Sequence, residues 1–268
     1  MKPLTLSSHS AAHPAIDWPQ PPAAPEFGPA DVHIWAAALE GEPARWTNLL
    51  SPAELDRAAA FHFELHRRRF IVGRGLLRSI LSRYLGVPPE QVEFAYGSQG
   101  KPELSGGLAA NGLRFNLAHS EDLAIVAITR LGAVGVDLEK IAPLDNIDDL
   151  VARFFSAREN ARFQQLSVEQ KAPAFFNLWT RKEAWLKATG EGIAHALNLV
   201  EVSFLPGEPA RLLSIPEHLS GGAHWSLYEL APAGHFAAAL AVAGEGINLQ
   251  CWRWDHGTPG TRVEGFSR

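Results

Sequence analysis

Polar and apolar residues alternate along 31–36, Asp-Val-His-Ile-Trp-Ala, and a period of two predicts a first strand there. The period then lengthens. Ser51-Pro52-Ala53-Glu54 has the form of a capping box, with Ser at the N-cap, Pro at the first helical position and Glu three residues on. Beyond it Phe61, Leu65, Phe70, Leu76, Leu77, Ile80, Leu81 and Tyr84 recur at helical spacing, until Gly86, Pro88 and Pro89 end the run. Short strand patterns follow at 92–96, 114–117, 124–129 and 134–139, punctuated by Gly97, Gly100, Pro102 and Gly132. The style then repeats, with helical periodicity at 148–166 and 173–189 and strand patterns at 200–204, 225–229 and 236–243.

This order predicts an α+β fold of two similar halves, each a small antiparallel sheet packed with a long helix. The boundaries drawn from it are an extension at 1–29, rich in Pro, Ala, Ser and His, a first half at 30–142, a second half at 143–245 and a tail at 246–268. No residue-by-residue repeat links the halves.

Composition narrows the class. With 46% hydrophobic and 20% charged residues and a net charge of −5, the 268-residue chain fits neither a collagen-like, a disordered nor a membrane-spanning class. The apolar run at 236–243 is too short for a bilayer. The N-terminus lacks the apolar core of a secretory signal, and a lone cysteine, Cys251, cannot form an internal disulfide, so a cytoplasmic protein is expected. Cys251 lies among strand-like apolar residues and reads as core. Charge is informative only locally: from Arg57 to Arg83 there are seven arginines and one acid, Glu64. That bias suits an anionic ligand or partner rather than bulk nucleic-acid binding, the alternative being a solvated helix face.

Two segments carry candidate chemistry. In Val136-Asp137-Leu138-Glu139 the carboxylates stand two residues apart on a strand and so share a face. Two acids so placed repel unless they are solvated, protonated or share a cation, and a hard divalent ion such as Mg²⁺ with oxygen ligands resolves the conflict. Alone, the pair is also what an exposed strand end carries. In the second segment, 179–192, helical spacing puts Trp179, Glu183 and Lys187 on one stripe, and Gly190 suits a left-handed C-cap. An ordinary Glu–Lys surface pair has the same spacing, but this one shares its stripe with large aromatics.

Together the segments resemble the 4′-phosphopantetheinyl transferase superfamily, whose pattern is G-[IV]-D-x-E and, further on, W-x-x-K-E-[AS]-x-x-K-x-x-G-x-G. Gly135 to Glu139 and Trp179 to Gly192 match it without a gap. Phe115-Asn116-Leu117-Ala118-His119-Ser120 is similar to the family's F-N-[IL]-S-H-[ST] strand, Gly100-Lys101-Pro102 to its G-K-P turn, and Ser51-Pro52 with Arg57 and Arg67–Arg69 to its basic helix. The likeness covers about residues 31–243, and the length resembles the Sfp-type members, large monomers of two similar halves with the active site in the cleft between them. The resemblance implies Asp137, Glu139 and Glu183 as magnesium ligands, and Arg57, Arg69, Lys101, His119 and Lys187 as coenzyme A phosphate contacts. Asp137, Glu183 and Lys187 would be the catalytic group. The implied reaction transfers the 4′-phosphopantetheine arm of coenzyme A to a serine of an apo acyl or peptidyl carrier protein and releases 3′,5′-ADP. No nucleic acid or membrane partner is expected.

Three positions depart from the pattern. Ala118 replaces the usual Ser before the His, Phe70 stands where some members have a small hydroxyl residue, and Glu54 where some have Lys. A coenzyme A or carrier-protein binding module without turnover, or another magnesium-dependent phosphotransferase, are the competing readings. His62 and His66 lack the H-E-x-x-H order of a zinc protease, and Gly97–Pro102 is too short for a P-loop.

Overall fold

The computed structural model describes residues 16–22, 24–97, 100–190 and 197–255. The first half begins with strand β1 (Asp31–Ala38) and continues through helices α1 (Pro52–Ala59) and α2 (Glu64–Leu85). A small hairpin follows, β2 (Phe94–Tyr96) with β3 (Pro102–Leu104), and then β4 (Arg114–Ser120) and β5 (Leu123–Thr129). β1 pairs antiparallel with β5, and β5 with β4. The second half repeats the path. It runs β6 (Val134–Lys140), α3 (Ile147–Phe154), α4 (Ala157–Phe163), α5 (Val168–Thr189), the short β7 (Glu201–Val202) and β8 (Leu212–Ser214), then β9 (Trp225–Leu230) and β10 (Phe236–Ala243). β6 pairs antiparallel with β10, and β10 with β9.

Alternation along the strands sorts the side chains into layers. Val32, Ile34 and Ala36 of β1 and Leu123, Ile125 and Ala127 of β5 pack against Val134, Val136 and Leu138 of β6 and Ala238, Leu240 and Val242 of β10. The two sheets thus meet face to face. The other face of the first sheet, with Trp35, Ala124, Val126 and Ile128, packs on α2. Its counterpart, with Ala237, Ala239 and Ala241 of β10, packs on α5. The order of layers is helix, sheet, sheet, helix.

Capping explains where the helices start. Ser51 caps α1 in a full capping box with Glu54, and Ser156 caps α4 in the same way with Glu159. Helix α5 begins at Val168, ahead of the expected start at Pro173, because Ser167 and Gln170 cap it; Pro173 lies inside the helix, where it forgoes one intrahelical hydrogen bond. Both long helices end on a left-handed glycine, Gly86 and Gly190.

The structure corrects three sequence-based boundaries. The strand carrying Asp137 and Glu139, assigned to the first half, belongs to the second sheet, since its pairing partner is β10. The tail from 246 is not an appendage: β11 (Asn248–Arg253) pairs in parallel with β1, so the first sheet runs β11-β1-β5-β4 and is not purely antiparallel. The extension is held from Ile16 onward. Ile16 and Trp18 pack on the sheet–sheet core, and Phe27 stacks on His33 at 4.3 Å. A strand's register with a distant partner is chosen by packing and leaves no local period. Cys251 sits in β11 against the core, where burial pushes its thiol up to about 11. Among the described residues no helix is long and apolar enough to cross a membrane.

Candidate active site

The site depends on how closely α5 lies on β6. A Cβ on Gly135 would fall 2.1 Å from the Ala184 carbonyl oxygen and 2.4 Å from the Ala188 nitrogen. Only glycine admits that approach, and the small Ala237, Ala239 and Ala241 beside it on β10 keep the rest of the face low. Gly135, Asp137 and Glu139 share the face that meets the helix, while Leu138 is buried in the sheet–sheet core. The stripe of α5 that lands there carries Glu183 and Lys187. Asp137 and Glu183 are each 4% exposed.

Lys187 Nζ donates to Asp137 Oδ1 at 2.6 Å, and Ser120 Oγ of β4 donates to Glu139 Oε2 at 2.9 Å. Asp137 Oδ2 and Glu183 Oε1 are buried without a partner. Burial raises the Asp137 carboxyl above the ordinary range while Lys187 pulls it back. Burial also raises Glu139, against the Ser120 hydrogen bond. The Glu183 carboxyl is pushed up to about 7, first by burial and then by the charges of Asp137 and Glu139. Three acids, of which Asp137 raises the other two and which together leave two buried oxygens unsatisfied, are a donor set that suits a hard divalent cation. Among the described residues no three His, Cys, Asp or Glu side chains form a ready-made ligand group. A cation here would therefore draw remaining ligands from water and phosphate oxygens.

The first half contributes the rim. Asn116 Oδ1 accepts from the Val136 amide at 2.8 Å, and the Lys140 amide donates to Ser120 Oγ at 3.1 Å, so two polar side chains of β4 fasten β6 in place. Lys101 Nζ donates to the carbonyls of Lys187 at 2.6 Å and Val134 at 3.2 Å, tying the turn before β3 to the end of α5 and the start of β6. Burial lowers the Lys101 ammonium. His119 is exposed, and the protein around its ring, then Lys187, Arg69, Arg74 and His66, hold it below the usual imidazole range.

Not every residue implied by the resemblance lies open to a ligand. Arg69 bonds Glu121 at 2.7 Å and Asp122 at 3.0 Å in the β4–β5 turn. Arg57 is exposed, over the Phe70 ring at 5.5 Å. Ala118 is buried in the sheet–sheet core. Glu54 accepts from Arg78 at 2.6 Å, which accounts for an acid there. Glu191 and Gly192 lie outside the described residues. Gly135, Asn116 and Ser120 stand in the sequence as members of motifs with no separate task; for Gly135 the signal of close backbone approach is a glycine inside a strand pattern. Beside Glu139 an apolar groove of about 250 Å³ opens, lined by Leu150, Phe175, Phe176 and Trp179.

Comparison with known proteins matches this architecture half by half. Residues 133–241 fit the model of the 4′-phosphopantetheinyl transferase superfamily, and residues 35–130 that of the 4′-phosphopantetheinyl transferase N-terminal region. The 4′-phosphopantetheinyl transferase HetI of Nostoc sp. is 45% identical over 227 residues, 84% of this chain and 92% of that protein. The 4′-phosphopantetheinyl transferase psf-1 of Bacillus pumilus is 35% identical over 60% of this chain and 67% of its own length, and Sfp of Bacillus subtilis 27% identical over 60% and 69%. With one relative so similar over nearly its whole length, and a motif-bearing strand and helix brought together at Gly135, the chain belongs to the 4′-phosphopantetheinyl transferase superfamily, in its two-half, Sfp-type form.

Proposed function

We propose that this chain transfers the 4′-phosphopantetheine group of coenzyme A to a serine of an apo acyl or peptidyl carrier protein, with Mg²⁺, and releases 3′,5′-ADP. The observation that carries the reading is the buried acid cluster of Asp137, Glu139 and Glu183 with Lys187 beside it, set on the one strand–helix contact that Gly135 permits. Asp137, Glu139 and Glu183 would hold the ion. Bound there, Mg²⁺ supplies charge neutralisation to a diphosphate and to the leaving group.

The chain's own residues do the rest. Lys187 places an ammonium at the same spot as the acids, where it can meet phosphate oxygens by charge-assisted hydrogen bonds. Glu183, with a carboxylate oxygen buried without a partner, is placed to take the serine proton as the hydroxyl oxygen bonds to the β-phosphorus and the bond to 3′,5′-ADP breaks. His119 and Arg57 offer exposed cationic or donor groups for the nucleotide's phosphates; Arg69 and Lys101 would first have to leave the partners described above. The apolar groove beside Glu139 gives the carrier protein an uncharged approach to the acids. The acids and their rim come from a single chain, consistent with a monomer, and a lone, half-buried cysteine suits the cytoplasm.

The test is to incubate the chain with coenzyme A, Mg²⁺ and a panel of apo carrier proteins, and to follow the mass of the carrier and the release of 3′,5′-ADP. The expected result is addition of one phosphopantetheine per carrier, lost on chelation. Absence of any mass shift across acyl and peptidyl carriers, with coenzyme A intact, overturns the reading.

A further inference from the structure

β4 and β6 are each the last strand of their own sheet, and they lie side by side where the two halves meet. Side chains of β4 span the join. Asn116 Oδ1 accepts from the Val136 amide at 2.8 Å, and Ser120 Oγ from the Lys140 amide at 3.1 Å. The two bonds are spaced equally along both strands, so β4 and β6 run in the same direction. Side-chain oxygens thus stand where the carbonyls of a neighbouring parallel strand would be.

The two links differ in what they do next. Asn116 is buried, and its bond to β6 goes to the backbone. Ser120 is half-buried, and its oxygen is fixed by the Lys140 amide. A hydroxyl has a single proton to give, and this one goes to Glu139 Oε2 at 2.9 Å. Asp137, on the same face of β6, is held in a matching way: Lys187 takes Oδ1, and Oδ2 is left buried without a partner. Each acid of the strand therefore has one oxygen gripped by a different element, α5 for Asp137 and β4 for Glu139.

The grip matters more for Glu139. It is half-buried, and glutamate is among the side chains that lose most rotamer freedom on being fixed. Unheld, it would pay that entropy whenever an ion bound; held through Oε2, it pays in advance and keeps Oε1 for the ion. Hydrogen bonds behind a ligand tune metal affinity in this way. On the reading of function above, with Mg²⁺ at these acids, we propose that Ser120 is a positioning residue that sets the affinity for the ion through Glu139. A strand of the first half then governs a cation site whose acids all belong to the second sheet and its helix. The roles implied by the family resemblance fall on its neighbour His119 and not on Ser120.

The test titrates Mg²⁺ into the full chain with coenzyme A and no carrier, and reads the Mg²⁺ concentration at which the rise in melting temperature is half complete. Ser120→Ala should raise that concentration about 10-fold, while Ser120→Thr, which keeps the hydroxyl, should stay within about threefold of wild type. Asn116→Ala serves as the control for strand fastening. It should lower the melting temperature without Mg²⁺ at least as much as Ser120→Ala does, yet shift the Mg²⁺ midpoint less. A wild-type midpoint in Ser120→Ala, an equal shift in Ser120→Thr, or an equal shift in Asn116→Ala overturns the proposal. Should Asn116→Ala not fold, the two Ser120 variants decide; should Ser120→Ala not fold, Ser120→Cys, a weaker donor of similar shape, takes its place. Wild-type protein that responds to Mg²⁺ while Ser120→Ala matches it overturns this inference alone. Wild-type protein whose melting temperature ignores Mg²⁺ overturns the magnesium reading with it.

Discussion

Counted back from the glycine that ends each long helix, α2 and α5 carry different residues at the same places. Both helices have 22 residues and both lie on the outer face of a three-strand unit with the same strand order. The position of Lys182 is matched by Arg78, and each of these buried cations binds the glutamate of a capping box, Glu159 at 2.5 Å and Glu54 at 2.6 Å. Three backbone carbonyls complete them: Leu197 for Lys182, Pro89 and Val92 for Arg78. One residue on, the halves part. Glu183 corresponds to Ser79, whose hydroxyl simply bonds the Gly75 carbonyl of its own helix at 2.8 Å. Lys187 corresponds to Arg83, which lies over Trp35 where Lys187 meets Asp137. At these matched positions the first half satisfies its polar groups internally. The second leaves carboxylate oxygens buried and unpaired, a cost to stability that a bound ligand can remove.

The strongest test of that contrast is at two tight glycines. Gly135→Ala has no room against the α5 backbone, so the helix must lift off β6; we expect about 4 kcal/mol of lost stability and at least about 100-fold lower transfer. Gly75→Ala, whose Cβ would fall 2.4 Å from the Trp46 ring, should also destabilise the fold but leave turnover of the remaining folded protein within about threefold. Equal kinetic damage from both would break the division of labour. Denaturant unfolding and initial rates on the folded fraction measure the two effects.

Next come the matched cations. Arg78→Met and Lys182→Met each leave a buried glutamate without its counter-charge, at about 3 kcal/mol apiece. Unfolding midpoints in urea check this. A benign result in one half only would show that the two devices are not equivalent.

Smaller and opposite in sign is Glu183→Gln. A carboxyl raised to about 7 in the fold stabilises it at low pH, and that contribution is lost as pH rises from about 4.5 through 7. At pH 8 without metal, Glu183→Gln should therefore gain about 2 kcal/mol over wild type while transfer disappears, and the gain should fade below pH 5. Ser79→Ala should shift stability by less than about 1 kcal/mol at any pH. Added Mg²⁺ should raise the melting temperature of wild type more than that of Glu183→Gln.

The smallest effect sharpens the comparison from the first half. His33 is fully buried, with Tyr84 at Nδ1 at 2.9 Å, Asp31 3.6 Å from Nε2, and Phe27 and Trp252 against the ring. Burial holds its pKa below the usual value, against the attraction of Asp31. The unfolded chain therefore takes up a proton first, so stability is complete above about 6.5 and falls as pH drops toward the lowered folded pKa. His33→Gln should flatten that limb, read from unfolding curves between pH 7.5 and 5. The first half thus loses stability on acidification and the metal-free Glu183 site gains it.

Much of the fold was legible because helix and strand periods are properties of the local chain. The alternation at 31–36, the capping box at Ser51 and the glycine after 189 each marked an element that the structure contains. What escaped notice was long-range. β11 has no local sign of its pairing with β1, and Ser120 and Asn116 looked like members of a motif rather than fastenings for β6. The arginine-rich segment suited an anionic ligand or partner, yet most of it is spent on Glu54, Glu64, Glu121 and Asp122. Pairing of charges across such separations depends on which surfaces meet, and no period encodes it.

By itself the sequence determined that Asp137 and Glu139 share a strand face, that Glu183 and Lys187 share a helix stripe, and that the order of these segments is a family's order. Each follows from backbone periods of two and of 3.6, which hold wherever the segment ends up. Only the tertiary structure decided that the stripe and the face meet. Gly135 lets the α5 backbone come within contact of β6, and removing water from that contact raises Glu183 to about 7 and leaves two carboxylate oxygens unpaired. Burial, not spacing, turns an ordinary Glu–Lys pair into a charged site, and burial is set by what packs on top.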